Sequence, residues 1–181
     1  MAYLWYFLFY SFFGFLLEKL FAAATHSPRQ VRKCFLLLPL CPVYGLAMTA
    51  VLLAGAERVK NVAVLVLLGA AMTTAVEYAV HWWYETVFGV RFWDYTPGKW
   101  NVNGRICLPF SAAWGTLSAL AVRFVQPELH ILAAQLSDAW AGALLVLLLF
   151  DAALTARVLQ TYRDTELLEL SALLRYRRRE V

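Results

Sequence analysis

The stretch VAVLVLLGAAMTTAVEYAVHWWYE, residues 62–85, decides the fold. It runs without a charged side chain as far as Glu77. A helix needs about 20 apolar residues to cross a hydrocarbon layer of roughly 30 Å, because only intrahelical bonds satisfy the backbone where water is absent. The stretch meets that length, and four further windows come close to it: 3–24, 35–55, 109–126 and 133–157. The expected fold is therefore all-α, a polytopic transmembrane helix bundle of about five spans filling residues 1–160. A structured cytoplasmic loop and an amphipathic basic tail over 161–181 complete it.

Composition agrees, since 62% of the 181 residues are hydrophobic and 15% charged, where a soluble protein carries roughly a quarter charged residues. The first window starts close to Met1 without the basic start or small-residue cleavage site of a secretory signal, and reads as a retained helix. Cys34, Cys41 and Cys107 have no CxxC spacing, so they suggest neither a disulfide framework nor a zinc site. They read as small packing residues. The net charge of +4 does not point to nucleic acid, because the cations fall between apolar windows and in the tail instead of forming a stripe.

Those cations orient the chain, since positive loops stay in the cytoplasm during insertion. With the first loop inside, Arg29, Arg32, Lys33, Arg91, Lys99, Arg105, Arg157, Arg163, Arg175, Arg177, Arg178 and Arg179 are cytoplasmic. Arg58, Lys60 and Arg123 then fall at the outer side. The expectation is a multi-pass protein of the cytoplasmic (inner) membrane, amino terminus out and carboxyl terminus in. Trp5, Tyr6 and Tyr10 suit the outer boundary, and Trp82, Trp83 and Tyr84 the inner one.

Ionisable groups inside lipid cost about 2.5–3.5 kcal/mol on insertion scales and usually face protein or a hydrated cavity. Four stand out: Glu18, Glu77, His81 and Asp151. Glu18 and Asp151 lie roughly 9 Å from the cytoplasmic ends of their helices, at 1.5 Å per residue, with Glu77 at a similar depth. Three acids from three helices at one level are expected to meet in a polar chamber for a cation, a proton or the basic part of a substrate. Thr74, Glu77, His81 and Tyr84 recur at helical spacing, giving the third window a polar stripe. The alternative is that the acids pair with Lys19, Arg105 or Arg157 and only fix helix packing.

The connection RFWDYTPGKWNVNGRIC, residues 91–107, mixes turn formers with rigid aromatics and fixed charges. A plain hydrophilic connector needs no such rings. The expectation is a folded element lying against or re-entering the cytoplasmic face, with Trp93, Asn101 and Asn103 shaping it. Arg105 should face a carboxylate or phosphate, and Asp94 is a candidate partner for it. In LLLPLCPVYG, residues 36–45, Pro39 and Pro42 remove donors and predict a bent or broken second helix. Pro127 is expected to close the fourth span.

FFGFLLEKLF at 12–21, CPVYG at 41–45, Glu77, FWDYT at 92–96, NVNGRICL at 101–108 and Trp114-Gly115 together resemble the ABC-transporter type IV membrane family, also called CmpB-like. The resemblance runs from about Tyr10 to Pro127. It departs from the family pattern at the second window, where Arg32-Lys33-Cys34-Phe35-Leu36 and Leu38-Pro39 replace an Asn-Arg-Gly-Phe-Leu and a Gly-Pro.

The resemblance implies a bacterial polytopic membrane protein of permease type. Transport of an unknown small solute ranks first among its functions. A membrane scaffold or sensor recruiting a cytoplasmic partner comes next, and an enzyme acting on lipid headgroups third. No Gly-x-x-x-x-Gly-Lys-Ser/Thr loop occurs, so an ATPase has to be a separate subunit, and a homodimer is a further expected assembly. HExxH and cofactor motifs do not occur in the sequence either, and neither metal nor cofactor is expected.

Overall fold

A computed structural model describes residues 1–25 and 34–168. Five helices form the bundle: α1 Ala2–Ala24, α2 Pro42–Leu53, α3 Val62–Phe88, α4 Leu108–Gln135 and α5 Asp138–Tyr162. All but α2 are long and apolar enough to cross a membrane. The expected all-α membrane bundle is what the chain forms.

The windows at 3–24 and 62–85 match α1 and α3, but the other three shift. The expected 35–55 span is not one helix, because 34–41 is non-helical and α2 begins only at Pro42. Pro42 sits in the first turn, where its missing N–H costs nothing. The preceding proline-containing backbone finds partners on other helices, α5 and α1: Leu38 N–H donates to Asp151 Oδ2 at 3.0 Å and Cys41 N–H to the Ser11 carbonyl at 2.8 Å. At 12 residues, α2 spans only about 18 Å.

Pro127 does not end the fourth helix. A π-helical turn at Ala121–Val125 accommodates the proline, and the helix continues to Gln135. One extra residue per turn gives the ring room beside the carbonyl of Arg123. The fifth helix starts at Asp138 and not at 133, with the Ser137 hydroxyl accepting from the Ala139 N–H at 3.2 Å. Of the tail, the described part is a short turn, Thr165–Leu168, that buries Leu167 and Leu168. The amphipathic stretch over 169–181 and the cations of the first loop lie outside the described residues.

Small residues set the closest helix pairs. A Cβ on Gly115 would stand 2.5 Å from the Val66 carbonyl and 2.8 Å from the Ala70 Cβ, so α3 and α4 touch backbone to backbone there. Two apolar clusters fill the interior. One joins Trp5, Met48, Val51, Leu65, Val122 and Leu129; the other joins Phe35, Leu36, Tyr84, Phe88, Phe92 and Leu159. Outward faces stay apolar, with Leu67, Phe124, Val146 and Phe150 exposed, as a lipid solvent allows.

Candidate carboxylate site

Two tyrosines bring two of the expected acids, Glu18 and Glu77, into one neighbourhood. Tyr44, in the first turn of α2, donates its hydroxyl to Glu18 Oε1 of α1 at 2.7 Å. Tyr95, from the 91–107 connection, donates to Glu77 Oε1 of α3 at 2.9 Å. Two further rings of α4 link the tyrosines. Tyr44 meets Trp114 edge to face at 5.4 Å, Trp114 lies 6.2 Å from Phe110, and Phe110 lies 5.0 Å from Tyr95. Glu18 and Glu77 therefore sit against one aromatic wall built from α2, the connection and α4.

The broken second segment makes this possible. Had 34–41 been helical, Tyr44 would stand in the third turn of a span instead of the first turn of α2. The side of α1 it meets is cleared by Gly14, where a Cβ would collide with the Tyr44 ring.

Glu77 is 7% exposed, and its Oε2 has no hydrogen-bond partner among the described residues. The Trp114 indole lies beside the same carboxyl. A buried acceptor left open costs about 1–3 kcal/mol, so such an atom marks a place for a proton, a water or a cation. On the loop side, burial first, then the charge and hydrogen bond of Glu77, push the Tyr95 phenol above its ordinary value. Cys107 and Glu18 add to that push, which places both acids within electrostatic reach of Tyr95 and keeps it a donor.

A second polar group locks the connection to α3. Glu85 accepts from Arg105 Nε at 2.7 Å and Arg91 Nε at 2.5 Å, with His81 Nε2 at 3.8 Å. Arg105 also donates to the Tyr78 hydroxyl at 2.8 Å, and Asn103 Nδ2 to the same oxygen at 3.0 Å. The hydrogen bond to Glu85 is the leading reason that the Arg105 guanidinium is raised further above its ordinary value. Trp93 packs edge on to His81 at 4.9 Å and donates its indole N–H to the Arg105 carbonyl at 2.9 Å.

The connection is a folded element. Strands β1 (Asn101–Val102) and β2 (Ile106–Cys107) pair antiparallel around Asn103 (φ 55°) and Gly104 (φ 69°). Both central residues have the positive φ that a tight hairpin turn needs. Asn101 closes the turn from both sides, donating to the Gly98 carbonyl at 2.7 Å and accepting from Gly104 N–H at 3.0 Å.

Of the sequence candidates, Glu18 and Glu77 share the aromatic wall, while His81, Trp93, Asn101, Asn103 and Arg105 build or hold the loop beside it. Asp94 does not pair with Arg105. It accepts from the Thr96 hydroxyl and from Thr96 N–H at 2.8 Å, and these two bonds, the hydroxyl first, hold its exposed carboxyl below the ordinary range. Asp151 has a different partner: its Oδ2 accepts from the Leu38 N–H of the broken segment, away from the aromatic wall's own contacts.

The expected alternative pairing holds for Arg105 only in part, since its partner is Glu85 and not an acid of the site. Tyr44, Tyr78, Glu85, Phe110 and Trp114 are the residues that sequence reasoning passed over. For Glu85 the sequence does hold a signal: it continues the four-residue spacing of Glu77 and His81, although the apolar window ends on it.

The family described as "Putative ABC-transporter type IV" matches residues 5–156. No curated protein and no solved structure gives a significant match to the chain. The matched residues include both carboxylates, the aromatic wall and the whole connection. With most of its length covered, this chain belongs to the ABC-transporter type IV family of membrane proteins.

Proposed function

We propose that the protein is the permease-like membrane subunit of a transport system, and that Glu18 and Glu77 form its solute-facing site. One observation carries the reading: two acids from separate helices meet one aromatic wall, and one of them keeps a buried oxygen open. Transporters place binding sites where helices are interrupted, because unwound backbone is tolerated only where it is buried in protein or lines a cavity. Here the 34–41 segment and the 91–107 connection are the two interruptions beside the acids.

A carboxylate pair among π faces suits a cation, a proton or the basic part of a solute. The distribution of Lys and Arg supports an orientation with the amino terminus out and the site opening inward, in the bacterial cytoplasmic membrane that the family resemblance implies. ATP hydrolysis comes from a separate subunit in this reading, and a homodimer would give the five helices a second wall.

The test is uptake and efflux of a panel of inorganic and organic cations in cells carrying Glu18→Gln or Glu77→Gln. At least one solute should change its accumulation by roughly tenfold in both variants, the equivalent of one lost charge-assisted contact. Unchanged accumulation across the panel, at unchanged protein level, contradicts the proposal.

A further inference from the structure

The polar face of α3 continues past the carboxylate site. Glu77, His81 and Glu85 follow one another at four-residue spacing, one turn apart, which sets successive Cβ atoms about 5–6 Å from each other. Glu77 and His81 are buried, whereas the half-buried Glu85 carboxylate lies against Arg91 and Arg105 of the connection. Arg91 is exposed, so the row leads from a buried acid to an ion cluster that meets solvent.

In the other direction the row stops. One turn before Glu77, the Thr73 hydroxyl donates back to the Gly69 carbonyl at 2.8 Å. At Gly69 the helix packs so closely on α4 that a Cβ would stand 2.9 Å from the Ser118 Cβ, and the fully buried Leu65 follows. Along α3, polar groups therefore connect Glu77 with one end of the bundle only.

His81 is the link. A buried polar group ordinarily has a hydrogen-bond partner, but among the described residues Nδ1 of this 1% exposed side chain has none. Its Nε2 stands 3.8 Å from Glu85 Oε1, beyond hydrogen-bond length. The ring is held instead by its edge-on contact with Trp93. An imidazole packed in this way carries an unmet polar cost of about 1–3 kcal/mol, which an apolar side chain of the same shape would avoid. The charges acting on it are Glu85 of its own helix and Arg105, Arg91 and Asp94 of the connection. Glu77 is faced by Tyr95, Trp114 and Glu18, and Asp151 of α5 is engaged by the Leu38 N–H.

We infer that His81 passes protons between the Glu85 cluster and Glu77, making α3 a proton path into the carboxylate site. The inference rests on the reading of Glu77 as an acid of that site. In the inward step a proton taken from solvent by the Glu85 carboxylate bonds to the lone pair of one imidazole nitrogen, and the O–H electron pair stays on Glu85. The imidazolium then releases the proton of its other nitrogen to a Glu77 oxygen, directly or through one water. One proton has moved and the neutral ring carries its N–H on the opposite nitrogen, which a ring rotation or the reverse transfer restores. Imidazole suits the task because it accepts at one nitrogen and donates at the other.

The experiment uses the full-length protein in nanodiscs. A laser pulse releases protons from a caged acid, and time-resolved infrared spectroscopy follows the carboxyl band of protonated Glu77, identified by its loss in Glu77→Gln. In His81→Gln and His81→Ala, Glu77 should take up its proton roughly a hundredfold more slowly. Added imidazole should restore the rate in His81→Ala, and pyrrole, a ring of the same size without a basic nitrogen, should not. Such rescue excludes misfolding as the cause of the slowing.

Unchanged rates in both variants overturn the proposal, as does the lack of any Glu77 band after the pulse. Slowing that imidazole fails to relieve also overturns it, by making His81 a packing residue. No solute is measured, so the outcome is separate from the uptake test: a working relay with unchanged accumulation in Glu77→Gln would leave the proton path standing and contradict the transport reading.

Discussion

Glu77 and Tyr95 carry the account at the scale of single residues. Their 2.9 Å hydrogen bond ties the connection to the middle of α3, and it is the loop's deepest polar contact with that helix. Tyr95→Phe keeps the ring against Phe110 but removes the donor, so the loop should lose about 1–3 kcal/mol of local stability. Amide exchange across 91–107 measures it, and unchanged protection would separate the loop from Glu77. Asp94 gives a pH dependence. Thr96 holds its carboxyl below the ordinary value of 3.8, so the turn keeps its full stability above that value and loses it as pH falls through the lower folded pKa. Thr96 protection should be flat from about pH 5 to 8 and drop only below about pH 4.

Among the elements, the two interruptions matter more than the helices. Glu85 is the latch for the second of them, gathering Arg91 and Arg105 from the connection. Glu85→Gln should free both arginines and make 91–107 cleavable by protease, while the circular dichroism of the helices stays the same. Gly115→Leu acts on the bundle instead. Its side chain would enter the space held by the Val66 carbonyl and Ala70, forcing α4 from α3 and lowering thermal stability by about 1–3 kcal/mol. Hydropathy made α1 and α3 legible, since long apolar runs have no other solution in lipid.

Hydropathy misplaced α2 because residues 34–41 are as apolar as a helix while their backbone bonds to Ser11 and Asp151, distant in sequence. Pro127 misled in the other direction, since a π-helical turn absorbed the break that a regular helix would have suffered. The site was half legible for the same reason. Glu18 and Glu77 stand out as charges within apolar runs. Tyr44 and Trp114, which bring the acids to one wall, look like ordinary interfacial rings in a linear reading.

Across the whole molecule, a short α2 and a folded connection place non-helical backbone, 34–41 and 91–107, at the end of the bundle that carries Glu18 and Glu77. A chain that only anchored itself in lipid would gain nothing from that arrangement, which exposes backbone to the cost of unmet hydrogen bonds. In the transport role proposed above, it brings polar groups to a solute. The central claim is that Glu18 and Glu77 face one space reached by water from one side. The direct measurement is labelling of Glu18→Cys and Glu77→Cys by a membrane-impermeant thiol reagent, in a protein whose buried Cys34, Cys41 and Cys107 are replaced by alanine. Both positions should label in inside-out vesicles and neither in right-side-out vesicles. Labelling from opposite sides, or of neither position from either side, would contradict the account.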